Sequence, residues 1–164
     1  MNMQKTVCFD YFIENKIPNP LAVTLTLKQG RSYFNNYGLT IKKPDLIDYQ
    51  RNTKHFLNRL NQKIFKHAFR RYGAKIQVIP IFEGTLNTRI HIHLIIERPD
   101  FIKLDEFELM IQDCWTKTQF GYNNIHIKEL DNYERWVNYI LKNRTKQVDL
   151  LDSIDVENMH INLR

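Results

Sequence analysis

Two neighbouring segments, KIQVIPIFE (residues 75–83) and RIHIHLIIE (residues 89–97), decide the fold. Both are rich in β-branched residues, and only the five residues GTLNT separate them. Two such runs joined by a short loop that contains glycine are typical of a β-hairpin. Pro80 has no N–H to donate to a strand ladder, so we expect the first strand of this pair to lie at an edge of its sheet.

The segments on either side of the hairpin predict two more strands and three helices. LAVTLTL (residues 21–27) alternates between apolar and threonine or alanine positions, which indicates a half-buried strand. Apolar residues at helical spacing predict a long helix from Pro44 to Gly73, where a left-handed cap is expected. The remaining elements are a helix over residues 104–118, a strand over 123–130, and a last helix from a capping-box-like start at Asp131 and Glu134 to about Asn143. Residues 1–20 are predicted as a lead-in without regular structure, 29–43 as a loop, and 144–164 as a polar tail or an extra short element.

This order, β-α-β-β-α-β followed by a helix, predicts an α+β fold with a ferredoxin-like antiparallel sheet. In that topology the first and third strands are central and the second and fourth are edges. The third strand would pack Ile90, Ile92, Leu94 and Ile96 under the two helices. Its opposite face would then carry Arg89, His91 and His93.

Composition excludes several classes of protein. A chain of 164 residues that is 43% hydrophobic can bury the core of one domain, and no apolar run approaches the ~20 residues of a membrane helix. Two cysteines without metal-ligand spacing, and no signal-peptide pattern, favour a cytoplasmic protein. The excess of 24 Lys and Arg over 18 Asp and Glu permits attraction to phosphates without establishing it.

Three side chains form a candidate metal site. His91 and His93 are two residues apart on one strand, so both imidazoles point to the same side of the sheet. If GTLNT is the whole loop, Glu83 pairs with Arg89 and lies diagonally across from His91, within reach of a common ion. Two histidines and a carboxylate on a sheet face are typical of a divalent metal site.

Tyr139 is the candidate nucleophile. In the last helix Tyr133, Trp136, Val137 and Ile140 form an apolar stripe, and Tyr139 lies off that stripe. Arg135 and Lys142 share its ridge of the helix, where two cations can stabilise a phenolate or hold a phosphate. Beside a metal site in a basic domain, a tyrosine in this environment indicates covalent catalysis.

Other polar residues are candidates for DNA contacts. Thr24 and Thr26 point to the metal side of the first strand, and His126 and Lys128 lie on the polar face of the fourth. His126 is also a candidate alternative ligand. The full set of candidate DNA contacts is Arg135, Arg89, Thr24, Thr26, His126, Lys128, Lys42 and Lys43.

The ordered motifs resemble those of the HUH endonucleases, the rolling-circle replication initiators of plasmids, phages and single-stranded DNA viruses. The apolar strand with threonines corresponds to Val23–Leu27, the His-hydrophobe-His motif to His91 and His93, and the Tyr-x-x-Lys motif to Tyr139 and Lys142. The resemblance covers about residues 21–143, so we expect a nuclease domain over 1–143 with its core at 21–143. Glu83 stands on the strand where the family often places its third metal ligand.

The resemblance implies nicking and rejoining of single-stranded DNA at an origin or hairpin. Mg²⁺ or Mn²⁺ on His91, His93 and Glu83 would polarise the scissile phosphate, Tyr139 would form a 5′-phosphotyrosine, and Lys142 would position the phosphate. A plasmid, phage or virus is the expected source of the gene. The chain has no GxxxxGK[ST] phosphate loop, so the resemblance implies that a separate protein such as a host helicase unwinds the DNA, or that the chain is a fragment of a longer one.

Three alternatives stay open from the sequence. A single-tyrosine HUH transposase keeps the same motif order. A non-catalytic single-strand-binding module would share the sheet topology, although such modules stack bases on aromatic residues where this chain has His91 and His93. An iron oxygenase would share the ligand set but needs more strands than are predicted.

Overall fold

The computed structural model describes residues 3–84, 88–142 and 153–162. The elements in chain order are α1 (Met3–Glu14), β1 (Pro20–Leu27), β2 (Arg31–Asn35), β3 (Gly38–Lys42), α2 (Leu46–Phe65), α3 (His67–Tyr72), β4 (Val78–Glu83), β5 (His91–Glu97), α4 (Leu104–Thr116), β6 (Gly121–Glu129) and α5 (Tyr133–Ile140).

Four strands form one sheet in the order β4-β5-β1-β6, and every neighbouring pair is antiparallel. The predicted α+β fold with a ferredoxin-like sheet is therefore confirmed. The first and third of the predicted strands, β1 and β5, are central. Pro80 lies on the edge strand β4, as its missing N–H requires.

One face of the sheet packs under α2 and α4. Alternate residues of the central strands enter this core, so the period of two read from the sequence is confirmed. The rings of Phe56 from α2 and Trp115 from α4 meet edge to face, with centroids 5.5 Å apart. The core also contains Val23, Leu25, Leu60, Ile92, Leu94, Ile96 and Phe107.

The other face is covered in part by α1 and α5, around a second apolar cluster that contains Phe12, Ile79, Ile81, Ile95, Tyr133, Val137 and Ile140. The prediction that residues 1–20 lack regular structure was wrong, because α1 occupies Met3–Glu14. Its apolar residues are not confined to one side: Phe12 is buried, whereas Val7 and Tyr11 are exposed. The helical stripe that a sequence reading depends on is therefore weak.

The structure corrects two further predictions on the segment between β1 and β4. Residues 29–43 contain the hairpin of β2 and β3 rather than a loop. The predicted single helix is divided at Lys66, whose φ of 50° interrupts the helical backbone between α2 and α3. Its end is as predicted, because Gly73 has a φ of 67° in the left-handed conformation. The start of α2 is closed by a capping box between Asp45 and Asp48.

Two smaller features concern the last part of the chain. Helix α5 is capped by Asn132, whose side chain accepts from the Arg135 N–H, and not by Asp131 as predicted. Residues 153–162 lie along the outer edge of β4, where Val78 and His160 exchange backbone hydrogen bonds of 2.7 and 3.0 Å. None of the helices in the described part of the chain is long and apolar enough to cross a membrane.

Candidate active site

The two histidines of β5 are each held by a threonine of β1. Thr24 is the cross-strand partner of His93, and Thr26 is that of His91. The threonine Oγ1 atoms lie 3.0 Å from His93 Nδ1 and 3.2 Å from His91 Nδ1. Because Nδ1 of each ring is engaged, Nε2 is the nitrogen left to bind a ligand, and the threonines fix the orientation of both rings.

Glu83 joins this site, although in a different register from the predicted one. It lies directly across from His91, not from Arg89. The connection is longer than GTLNT, because Arg89 and Ile90 precede β5, and the Ile90 carbonyl accepts from Leu27 N–H. Gly84 makes the close crossing possible: its φ is 129°, and a Cβ there would stand 2.9 Å from Ile90 Cα.

The Glu83 carboxylate reaches His93 diagonally, with Oε2 2.5 Å from His93 Nε2. The His93 side chain is 8% exposed and that of Glu83 is 27% exposed, so the pair is shielded from water on the sheet side. The contact aims an anionic oxygen at the nitrogen that faces away from Thr24. A buried imidazole that is hydrogen-bonded on both nitrogens is held in one orientation.

The donor set of these three residues fits a divalent metal ion. Two imidazole nitrogens and a carboxylate oxygen are typical ligands of Mn²⁺ and related ions, and each histidine has a second-shell partner on its other nitrogen. As placed, no three His, Cys, Asp or Glu side chains within residues 3–84, 88–142 and 153–162 stand close enough to enclose an ion. Glu83 and His93 touch each other directly, so an ion bound by both would take the place of that contact.

Burial and charge favour a neutral ring at His91. Burial lowers the pKa of His91, and the neighbouring His93 lowers it further, while Glu83 acts in the opposite direction. A neutral imidazole has the lone pair that a metal needs. The local electrostatics are therefore compatible with ligation.

Helix α5 places Tyr139 beside the histidines. Its ring centroid is 6.1 Å from that of His93, and 41% of the residue is exposed. The ring stacks on Trp136 with centroids 5.0 Å apart and an interplanar angle of 21°. Lys142 Nζ lies 4.4 Å from the Tyr139 centroid. The predicted nucleophile, its predicted lysine and the histidine strand are thus brought together.

A groove of about 730 Å³ runs from Tyr139 across the β6 edge of the sheet. Thr24, His126, Lys128, Arg135 and Trp136 are among its lining residues. Lys128 Nζ lies 5.0 Å from the Trp136 ring, and His126 is the cross-strand partner of Thr24. Four of the predicted DNA contacts therefore border one cavity next to the tyrosine.

Three other predicted contacts lie apart from this groove. Arg89 packs its guanidinium over the Tyr122 ring, 4.6 Å from the centroid. Lys42 belongs to β3 and forms an ion pair of 2.9 Å with Asp48, and Lys43 follows it as an exposed residue. The structure does not bring these three cations to Tyr139.

Sequence reasoning assigned Trp136 to packing and missed its contact with Tyr139. The two residues are three positions apart in a helix, so their rings can stack. The aromatic pair with a lysine at each end, Lys128 beside Trp136 and Lys142 beside Tyr139, was the available signal. It could not be recognised without the position of Lys128 on the neighbouring strand.

Comparisons with curated proteins and with solved structures returned no match. A family model described as replication-associated protein ORF2 matches residues 20–148, which is more than half of the chain. The matched region begins at β1 and contains the candidate site and α5. On this match, the chain belongs to the ORF2 family of replication-associated proteins.

Proposed function

We propose that this protein is a replication-initiation endonuclease that nicks and rejoins single-stranded DNA through a tyrosine. The observation that carries the proposal is the placement of Tyr139 against the row of Glu83, His91 and His93, with 6.1 Å between the Tyr139 and His93 centroids. A nucleophile next to a divalent-metal donor set is the arrangement that phosphoryl transfer needs. Membership of a replication-associated family supports the biological role.

His91, His93 and Glu83 would hold Mg²⁺ or Mn²⁺. When bound, the ion supplies Lewis-acid polarisation of the scissile phosphate. The protein's own part is to hold each histidine by a threonine, so that Nε2 is the ligating nitrogen, and to supply the charge of one carboxylate.

In the cleavage step, the Tyr139 Oη forms a bond to phosphorus while the bond from phosphorus to the 3′ oxygen breaks. The phenol proton passes to solvent, and the departing 3′ oxygen takes up a proton. The products are a 5′-phosphotyrosine and a free 3′-hydroxyl that can prime synthesis. Rejoining is the reverse reaction. Lys142 beside the tyrosine ring, and Arg135 and Lys128 in the adjoining groove, supply positive charge for the phosphates.

The burial of Tyr133 supports the assignment of a single nucleophile. It is 5% exposed, its Oη accepts a hydrogen bond from the Ile17 N–H, and burial raises its pKa. A phenol in an apolar cluster is both inaccessible and harder to ionise. Tyr139, on the exposed side of the same helix, has neither restriction.

The test is formation of a covalent adduct with a random-sequence single-stranded oligonucleotide pool labelled at its 3′ end, in the presence of Mn²⁺. The parent protein is expected to carry label through denaturing electrophoresis. Tyr139→Phe keeps the ring and removes the hydroxyl, so it should bind DNA and form no adduct. Tyr133→Phe is the matched control and should react as the parent does. An adduct that persists in Tyr139→Phe and is lost in Tyr133→Phe would contradict the assignment.

The same experiment separates the alternatives. A non-catalytic binding module would give no adduct in any metal, and an iron oxygenase would not cleave DNA through a tyrosine. A single-tyrosine transposase would give the same adduct, so only the family match favours replication over transposition.

A further inference from the structure

The hairpin of β2 and β3, which we call the arm (residues 31–42), carries apolar and aromatic side chains that nothing in the described part of the chain covers. Phe34 is 82% exposed and Tyr37, in the turn, is 98% exposed. Leu39 and Ile41 are exposed on the same side of the ribbon as Phe34, because alternate residues share a face. The core of the protein does not use this face.

A basic hollow of about 610 Å³ lies at the root of the arm. Lys28, Arg31, His55 and Lys117 contribute to its lining, and none of the described lining residues is acidic. Of the four, Lys117 is ion-paired with Asp113 at 2.5 Å. The hollow therefore combines positive charge from the end of β1, the start of β2, helix α2 and the segment after α4.

The hollow lies close to the candidate active site along the chain. Thr26, which contacts His91, is two residues before Lys28, a reach of about 7 Å for extended backbone. The Lys28 N–H donates to the Phe120 carbonyl at 2.8 Å, which holds this end of β1 against the segment that leads into β6. A strand of DNA that leaves the catalytic row around this end of the sheet would meet the hollow first and the arm next.

We propose that the arm and the basic hollow bind the single-stranded DNA that flanks the nicked phosphate. The cations would hold backbone phosphates, and the exposed rings of Phe34 and Tyr37 would stack on unpaired bases. Charge next to sequence-tolerant aromatic stacking is the chemistry of single-strand binding. Unpaired bases are favoured over duplex because duplex bases are already stacked on each other and offer no free face to these rings. The direction of the strand from the nick to the arm rests on the proposed function, whereas the binding surface does not.

The test measures binding of fluorescein-labelled oligo(dT) by anisotropy in metal-free buffer, using the full chain with Tyr139→Phe so that no adduct forms. Tyr37→Ala and Phe34→Ala are each expected to weaken binding about five- to hundredfold, since each removes one base stack. Phe34→Trp should restore it. Arg31→Ala should lower the slope of log affinity against log salt by about 0.7, the value for one phosphate contact on a single strand.

Matched controls lie at the far end of α2. Tyr72 and Arg71 are exposed residues of α3, about 30 Å from the arm along the 20-residue helix. Tyr72→Ala and Arg71→Ala should leave affinity and salt slope unchanged. Because Phe34 and Tyr37 lie outside the core, circular dichroism should show every variant folded.

Three results would overturn the inference. Arm variants that bind oligo(dT) like the parent would exclude the surface. Variants that lose affinity for a mixed-sequence blunt duplex, and not for oligo(dT), would assign the arm to duplex DNA. Variants that change only the elution volume in gel filtration would assign the apolar face to self-association. Failure of the proposed function is distinguishable, because an enzyme that never forms an adduct can still show arm-dependent binding.

Discussion

The two faces of the four-stranded sheet differ in how they use the same strands. Under α2 and α4, the face is apolar from end to end, with Leu25 and Leu94 fully buried. The opposite face changes along β5 from His91 and His93 to Ile95, and α1 and α5 cover the apolar part. The first face supplies the packing that holds the sheet. The second uses its apolar part to dock α5 and its polar part to present chemistry beside that helix.

The comparison teaches that the position of Tyr139 is set by packing rather than by polar contacts. Val137 and Ile140 are buried in the second cluster, and Tyr139 lies between them in sequence on the exposed side of α5. The phenol is therefore directed towards His93 by an apolar helix face. Each of the following changes should affect one region and leave the other.

The largest expected difference is between His91→Ala and Leu25→Ala. His91 lies on the polar part, and its replacement removes a proposed metal ligand, so adduct formation should fall below detection while the fold persists. Leu25 belongs to the helix-covered core, and its truncation should cost about 2–5 kcal/mol of unfolding free energy. Single-turnover adduct assays and urea unfolding measure the two effects.

His93→Ala is a less clean probe, because the structure places His93 at 6% exposure rather than on an open surface. Its loss would leave a cavity and remove the imidazole that Glu83 Oε2 contacts, so a fall in stability is expected in addition to the loss of activity. If His91→Ala and His93→Ala both cleave like the parent in Mn²⁺, the assignment of the polar part is wrong. Glu83→Ala with full activity would move the third-ligand role elsewhere, and His126 would be examined next.

Trp136→Ala tests whether stacking positions the nucleophile. The indole carries the Tyr139 ring on one side, and its buried Nε1–H has no hydrogen-bond partner among the described residues. We expect a loss of about 10- to 100-fold in the adduct rate at saturating DNA, because a misplaced reacting group is costly. Trp136→Phe removes no hydrogen bond from the described structure and should recover most of the rate. Equal rates in both variants and the parent would show that Trp136 only packs.

Lys142→Ala should act on the same step with the tyrosine in place. Lys142 Nζ lies over the Tyr139 ring, and the loss of one positioned charge costs ~10²–10³ in rate at most. Lys142→Arg keeps the charge and should retain most of the adduct rate at saturating DNA. A variant Lys142→Ala that loses DNA affinity at an unchanged rate would make Lys142 a binding residue.

Gly84→Ala should disturb the register that places Glu83. With a φ of 129° and Ile90 Cα at 2.9 Å from an added Cβ, the backbone must shift, and a cost of about 1–3 kcal/mol is expected. Urea unfolding measures the cost, and the adduct assay should show a smaller loss than His91→Ala. Gly38→Ala is the matched control: its φ is also positive, but its Cβ would meet no atom within 4 Å. Equal effects at both glycines would mean that backbone strain alone, and not the crossing at Ile90, decides the outcome.

The strand pattern, the strand order and the face of His91 and His93 could be predicted because a period of two and the missing N–H of Pro80 are local properties. The register of Glu83 could not, because it depends on how Gly84 passes Ile90, which is a tertiary contact. Helix α1 and the arm were missed for a common reason: exposed apolar residues such as Val7 and Phe34 follow no burial pattern. The roles of Tyr139 and its neighbours stay predictions until an adduct is measured.

The smallest expected effect on activity is that of Asp155→Asn, at the segment along β4. The Asp155 N–H donates to the Pro80 carbonyl at 3.0 Å, and its side chain is fully buried and accepts from Asn158. Burial raises the pKa of Asp155 from 3.8 to about 6. The folded state thus binds the proton more tightly than the unfolded state does, so this group's contribution to stability is greatest below pH 3.8 and is lost as the pH rises through about 6. Asp155→Asn removes the charge and should raise the unfolding free energy by about 1–2 kcal/mol above pH 7, with a smaller gain near pH 4. Urea unfolding at both pH values measures this difference, and adduct formation should not change, because Asp155 lies on the β4 edge away from Tyr139. An equal shift at both pH values would mean that packing, and not ionisation, governs how this segment holds the edge strand.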